Sequence, residues 1–328
     1  MIEVKNLVKS YGSHLAVDHL NFTVETGQIY GFLGPNGAGK STTMNIMTGY
    51  LGATEGEVLI NGHDILNEPE QAKRQIGYLP EIPPLYPEMK VEEYLNFAAE
   101  LKRIPRKERK AAVKEVMEVV KLEEVAGRLI KNLSKGYRQR VGLAQAILGF
   151  PEIIILDEPT VGLDPKQIIE IRELIRELAK DHTIILSSHI LAEIQEVCDH
   201  ILIISRGRLV ASDTPENLEK MLSQDQKIEI LARGDKERVE DIVNTVGGII
   251  ASEYEKGEEE GTIFARLTPL ENVDIRENIF RAFADADLPL LMLHHTRTTL
   301  EDVFLELTQS ENPVSKEEEE EDEDDSDL

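Results

Sequence analysis

At 328 residues and 41% apolar side chains, the chain is long enough for two or three folded domains and ordinary in composition for them. Its formal charge of −26 argues against a general nucleic-acid binder, which needs a basic footprint, and against direct adsorption to anionic lipid. One cysteine, Cys198, excludes an intramolecular disulfide and fits a reducing compartment, and no apolar run reaches the roughly 18 residues that cross a bilayer.

The first residues, MIEVKNLVKSYG, alternate like a strand and lack the long apolar core of a signal peptide, which places the protein in the cytosol, free to dock on a membrane protein. Two alternating runs, IEVKNLVK and LAVDHLNFTV, joined by a turn around Gly12, predict antiparallel strands. QIYGFLG is an apolar strand that runs into a glycine-rich turn, STTMNIMTGYL a helix, and GEVLINGHDI a strand again. From Pro80 to about Phe150 the chain reads as helical and charged, entered through PEIPPLYPE. Within it, NLSKGYRQRVGLAQAIL predicts a helix with Val141, Leu143, Ala144, Ile147 and Leu148 on its apolar face and Arg138, Gln139, Arg140 and Gln145 on its polar one. Ser134 is a good cap, yet Lys135 and Gly136 follow in the first turn, where glycine costs roughly 1 kcal/mol relative to alanine. Then come a buried strand, EIIILDEPT, an amphipathic helix, PKQIIEIRELIRELAKD, a second buried strand, TIILSSH, a helix, ILAEIQEVCD, and a hairpin, HILIISRGRLVAS. Apolar strands alternating with helices predict a parallel sheet covered on both faces.

The composition shifts after TPENLEKMLSQDQ. KIEILAR, KERVEDIVNTV, GIIASEYEKG, GTIFARLT, DIRENIFRAFADA and LLMLHHTRT read as strand, helix, strand, strand, helix and strand, the order of a ferredoxin-like domain. A closing helix, LEDVFLELTQ, leads to a tail holding ten acidic residues, Glu317 to Asp325 together with Asp327. That tail cannot bury apolar surface and is expected to be disordered, with solubilisation as its simplest role.

GPNGAGKST, from Gly34 to Thr42, fits the phosphate-binding loop pattern and sits between a strand and a helix, the context the pattern needs. Gly34, Gly37 and Gly39 let the backbone wrap a polyphosphate, with Pro35, Asn36 and Ala38 completing the loop, so that N–H groups and the helix N-terminus face the ligand. Lys40 suits the β and γ phosphates, Ser41 offers a hydroxyl to Mg²⁺, and Thr42 supports the α phosphate. The competing reading is a glycine-rich turn without a ligand. IIILDEPT places Asp157 and Glu158 at the carboxyl end of a buried strand, where parallel sheets bind ligands and where two adjacent carboxylates are costly unless used. Asp157 suits the magnesium side and Glu158 an attacking water. His189, after TIILSS, is either structural or a donor to a γ phosphate. Tyr11 either packs in its strand or stacks on a base. His294 and His295 are neighbours in a strand, so they point to opposite faces and do not share a metal.

In order, Tyr11, GPNGAGKST, LSKGYRQR, IIILDEP, VGLD and His189 resemble the ATP-binding subunit of ABC transporters over residues 1 to about 220. The resemblance implies an α/β fold, a P-loop ATPase core with an antiparallel β subdomain and a helical insert at about 82–149. Domains are expected at 1–222 and 223–312, with a tail at 313–328. It implies that Ser134 and Gly136 contact the γ phosphate of ATP held by the opposite subunit, that Asp164 crosses the dimer interface, and that His189 senses the γ phosphate. Catalysis falls to Glu158, His189 and Lys40, and Mg²⁺ to Ser41, Asp157 and Glu81. Two departures stand out: Lys135 and Tyr137 replace a glycine and the glutamine of the usual signature, and Glu81 stands where the family usually has glutamine. TTLEDVFLELT after the small domain is similar to export-type ATPases of the drug, antibiotic, sodium and gliding-motility-associated branches. The implied protein is a homodimeric ATPase, peripheral on the inner face of the cell membrane through a separate permease. A soluble ATPase without a transport role and an ATP sensor without turnover are the alternatives.

Overall fold

The computed structural model describes residues 1–221, 227–270, 273–296 and Phe304; the expected closing helix, Phe304 apart, and the acidic tail lie outside the described residues. The chain divides into two compact units at Pro215/Glu216.

In the first unit the two opening runs pair as expected. Strand β1 (Ile2–Tyr11) lies antiparallel to β2 (His14–Val24), and on its other side to β4 (Glu55–Ile60), which pairs in turn with β5 (His63–Asp64). GEVLINGHDI is therefore a hairpin, because Asn61 and Gly62 both take positive φ and reverse the chain. A second sheet runs β10-β9-β3-β8-β7-β6, with β3 at Ile29–Leu33, β6 at Ile76–Leu79, β7 at Ile153–Leu156, β8 at Thr183–Ser188, β9 at His200–Ser205 and β10 at Arg208–Asp213. The pairs among β6, β7, β8, β3 and β9 are parallel, and β10 closes the edge antiparallel. Strands β3, β7 and β8 are buried at every residue, as apolar runs covered on both faces must be. One apolar core joins the two sheets, with Phe22 of β2 edge-on to Phe32 of β3 at 5.3 Å.

Helix α1 (Lys40–Met47) follows β3, α2 (Pro69–Arg74) precedes β6, α6 (Pro165–Leu178) follows β7, and α7 (Leu191–Val197) follows β8. Between β6 and β7 the chain forms the helical insert, α3 (Val91–Leu101), α4 (Arg106–Val119) and α5 (Lys135–Ile147). The expected apolar face of α5 is buried, but the expected polar face needs correction: Gln139 and Arg140 are buried as well. Arg140 donates to the Val120 carbonyl at 3.0 Å and pairs with Glu170 of α6 at 2.6 Å, so a helix expected to be half-solvated is clasped on both sides.

The carboxyl end of α5 is finished by a largely buried lysine. Lys102 donates to the Ala146 and Leu148 carbonyls at 2.8 and 2.9 Å, a cation placed where the helix dipole favours one. Burial pushes its ammonium down from 10.5 to about 8. A depressed folded-state value means that its contribution to stability is greatest above the unfolded value of 10.5 and is lost as pH falls through about 8. The stability of the wild type relative to Lys102→Met is therefore expected to rise between pH 8 and pH 10, measured by urea unfolding at each pH.

Helix α8 (Pro215–Met221) spans the division between the units. The second unit follows the expected order, β11 (Lys227–Arg233), α9 (Lys236–Thr245), β12 (Ile249–Lys256), β13 (Thr262–Pro269), α10 (Arg276–Asp285) and β14 (Leu290–Thr296). Its strands form one antiparallel sheet in the order β12-β13-β11-β14, and the apolar sides of α9 and α10 share a core with it. His294 and His295 sit opposite Glu229 and Ile228, on opposite faces. No helix among the described residues is long and apolar enough to cross a membrane.

Candidate nucleotide-binding site

The loop from Gly34 leaves the carboxyl end of β3 and enters α1. Gly39 caps that helix in the left-handed region, φ 100°, and a Cβ there would lie 2.5 Å from the Ala16 carbonyl, so glycine is required twice over. Lys40 begins α1, buried, and donates to the Gly34 carbonyl at 2.7 Å and the Pro35 carbonyl at 3.3 Å. Burial lowers its pKa, while the charges of Glu158, Asp157 and Glu81 oppose that shift.

The ends of β7 and β8 bring the acidic groups to this loop. Ser41 donates to Asp157 Oδ1 at 3.3 Å, and Ser187 donates to the same oxygen at 2.6 Å while accepting the Glu158 N–H at 2.8 Å. These oxygens are hard donors side by side, a set that fits a small divalent cation. Glu158 takes φ 48°, an uncommon conformation for a non-glycine residue, and its carboxylate lies 3.8 Å from Lys40 Nζ and 3.0 Å from His189 Nδ1. His189 is thus brought to the site and is not a core histidine. A cavity of about 370 Å³ is lined by Tyr11, Asn36 to Thr42, Glu81, Glu158 and His189. Tyr11 is 49% exposed, with Lys9 Nζ 5.2 Å above its ring, so it does not pack in the core. His14, Ala16 and Val161 line the same cavity; the sequence offers no motif at His14 or Ala16 that would single them out, and Val161 opens the VGLD turn without a side chain that suggests a role.

Ser134, Gly136 and Asp164 lie elsewhere, together lining a second groove of about 520 Å³ between α5 and α6. Ser134 caps α5, accepting the Tyr137 N–H at 3.3 Å, and Asp164 caps α6, accepting the Gln167 N–H at 3.0 Å. Gly136 is buried, and a Cβ there would press on the Gln167 side chain at 2.7 Å. Lys135 extends its ammonium over Gly162, into the space a Cβ of that residue would take, while Tyr137 lines the groove.

One buried carboxylate ties the loop after Glu158 to the strand end before His189. Glu193 of α7 accepts from Thr160 Oγ1 at 2.6 Å and from Ser188 Oγ at 3.1 Å, and Arg172 Nη2 stands 3.9 Å from its other oxygen. Glu193→Ala removes the shared acceptor of two buried hydroxyls, at an expected cost of roughly 1–3 kcal/mol in stability. Glu193→Gln keeps an acceptor oxygen and should lose much less; urea unfolding of both variants checks this.

The chain matches the family model for ABC transporters over residues 17–161. A bacitracin transport ATP-binding protein from Bacillus licheniformis is 42% identical over 222 residues, 67% of this chain and 72% of that protein. The chain belongs to the ABC transporter family. As an ABC transporter ATP-binding subunit it binds and hydrolyses ATP, and the first unit carries the residues matched to the family. A Nod factor export ATP-binding protein from Cupriavidus metallidurans is 31% identical over 322 residues, 95% of this chain and 98% of that protein, so the similarity continues through the second unit. The dimeric structure of a bacterial ABC transporter cassette is 26% identical with a TM-score of 0.60, covering 65% of this chain and 98% of that one.

Proposed function

We propose that this ABC ATPase works as a homodimer in which each ATP is held between the loop Gly34–Thr42 of one copy and the Ser134–Gly136 helix start of the other, with Asp164 beside the seam. The separation of the two grooves on one chain carries this reading: the phosphate loop lines one, and Ser134, Gly136 and Asp164 line the other. The similar dimeric cassette supports it.

Within that site Lys40 exchanges the Gly34 carbonyl for β and γ phosphate oxygens. Tyr11 stacks on the base, and Ser41 and Thr42 continue the cradle of backbone N–H groups offered by the loop after Pro35, which has no N–H of its own. Glu158 orients the attacking water and accepts its proton, and His189 donates to the γ phosphate. Ser41, Asp157 and Glu81 would hold Mg²⁺, which would supply charge neutralisation on the phosphates when bound. Loss of the γ phosphate removes the bridge between the copies, and the dimer opens.

The helical insert passes this motion to a separate permease. Ile82, Tyr86 and Leu101 expose large apolar side chains on it, 82%, 54% and 67% respectively, and are candidates for that contact. The name of the Nod factor export relative supports export as the direction, and a separate permease would hold the ATPase peripherally on the inner face of the membrane. The ATPase domain is assigned to 1–222 and the second domain, ferredoxin-like by its strand order, to 223–312. Affinity capture from detergent-solubilised membranes is expected to recover a polytopic membrane protein in stoichiometric amount. Recovery of soluble partners alone would count against transport.

A further inference from the structure

The chain is acidic overall, yet between Lys102 and Lys114 it carries seven cations against one carboxylate, Glu108. These residues form the corner where α3 ends and α4 begins. Arg106, Lys107, Arg109 and Lys110 crowd the start of α4, whose N-cap, Pro105, supplies no side-chain acceptor. Cations at a helix N-terminus oppose the macrodipole, so the cluster destabilises the helix that bears it unless an anion is near. Part of the corner is neutralised locally: Arg103 meets Glu70 at 3.4 Å, Arg109 meets Glu100 at 3.1 Å and Lys114 meets Glu118 at 3.3 Å. Arg106, Lys107 and Lys110 are exposed and have no carboxylate partner among the described residues. Beside them a groove of about 820 Å³ is lined by Lys73, Arg74, Lys102 and Arg103, with Glu70 as its one acid.

We propose that the acidic C-terminal segment, Glu317 to Asp327, docks on this basic corner of its own chain. Charge complementarity selects it: the segment holds ten carboxylates and no cation. Tethering raises the effective concentration of those carboxylates to the order of millimolar, an advantage no free anion has. An anionic bilayer is the competing occupant, but it must approach a body that stays acidic without the tail. Docking beside Leu101 sets the segment in competition with any partner of that face; this consequence, unlike the docking itself, rests on the proposed permease contact.

Carbodiimide crosslinking of the full chain, with carboxylate–lysine pairs mapped by mass spectrometry, tests the docking. Pairs from the tail should concentrate on Lys107 and Lys110. They should fall at least fivefold in about 0.5 M salt, which screens exposed charges. Lys107→Glu/Lys110→Glu should redistribute the remaining tail pairs away from the corner, with ATP turnover unchanged because neither residue lines the nucleotide cavity. Tail pairs spread over lysines in proportion to their exposure would overturn the proposal. So would pairs found only between isotope-distinguished copies, or a corner that binds phosphatidylserine vesicles while yielding no tail pairs.

Discussion

Glu158→Gln is expected to lower ATP turnover by about two to four orders of magnitude while leaving ATP binding intact. The substitution keeps shape and hydrogen-bonding reach but removes the carboxylate proposed to accept the proton of the attacking water. The carboxylate is well placed to accept it, being 7% exposed, 3.8 Å from Lys40 and 3.0 Å from His189. Burial of an unpaired carboxylate is costly, and here two cationic or donor groups share it. With hydrolysis blocked, ATP should hold two copies together. Turnover assays, nucleotide binding and size-exclusion chromatography with ATP measure the three parts of this expectation, and unchanged turnover removes Glu158 from its role.

Gly136→Asp is expected to reduce turnover at least a hundredfold through the opposite groove. A side chain at this position meets Gln167, and a carboxylate at the start of α5 occupies the place where a helix N-terminus would receive a phosphate. Nucleotide binding by the loop at Gly34–Thr42 should be unchanged, because Gly136 does not line that cavity. Gly136→Ala, which adds bulk without charge, should lose much less. A fluorescent ATP analogue and turnover measured on the same preparations separate binding from catalysis.

The residues of the loop, Asp157 and Glu158, and His189 are legible in sequence because each lies in a short contiguous motif at the end of an apolar strand, and the fold brings such ends to one edge. Strand β6 is not legible: four residues, Ile76–Leu79, carry too short a pattern, and their pairing with β7 is a tertiary fact. Periodicity puts Arg140 on a polar face, yet it is buried because Val120 and Glu170, distant in sequence, converge on it. Glu193 is hidden from sequence for the same reason, since Thr160 and Ser188 reach it from two different strand ends. Ser134 is legible as a cap, whereas Lys135 gains a place only from Gly162 beneath it.

The central claim, a site completed by a second copy, is tested most directly by mixing chains that carry Lys40→Ala with chains that carry Gly136→Asp. Each variant alone should be inactive. In a mixed dimer one site combines both defects and the other combines an intact loop with an intact helix start. An equal mixture is therefore predicted to recover roughly a quarter of wild-type turnover, since half of its dimers are mixed and each holds one intact site. Substantial turnover by either variant alone, or no recovery on mixing, would contradict the shared site.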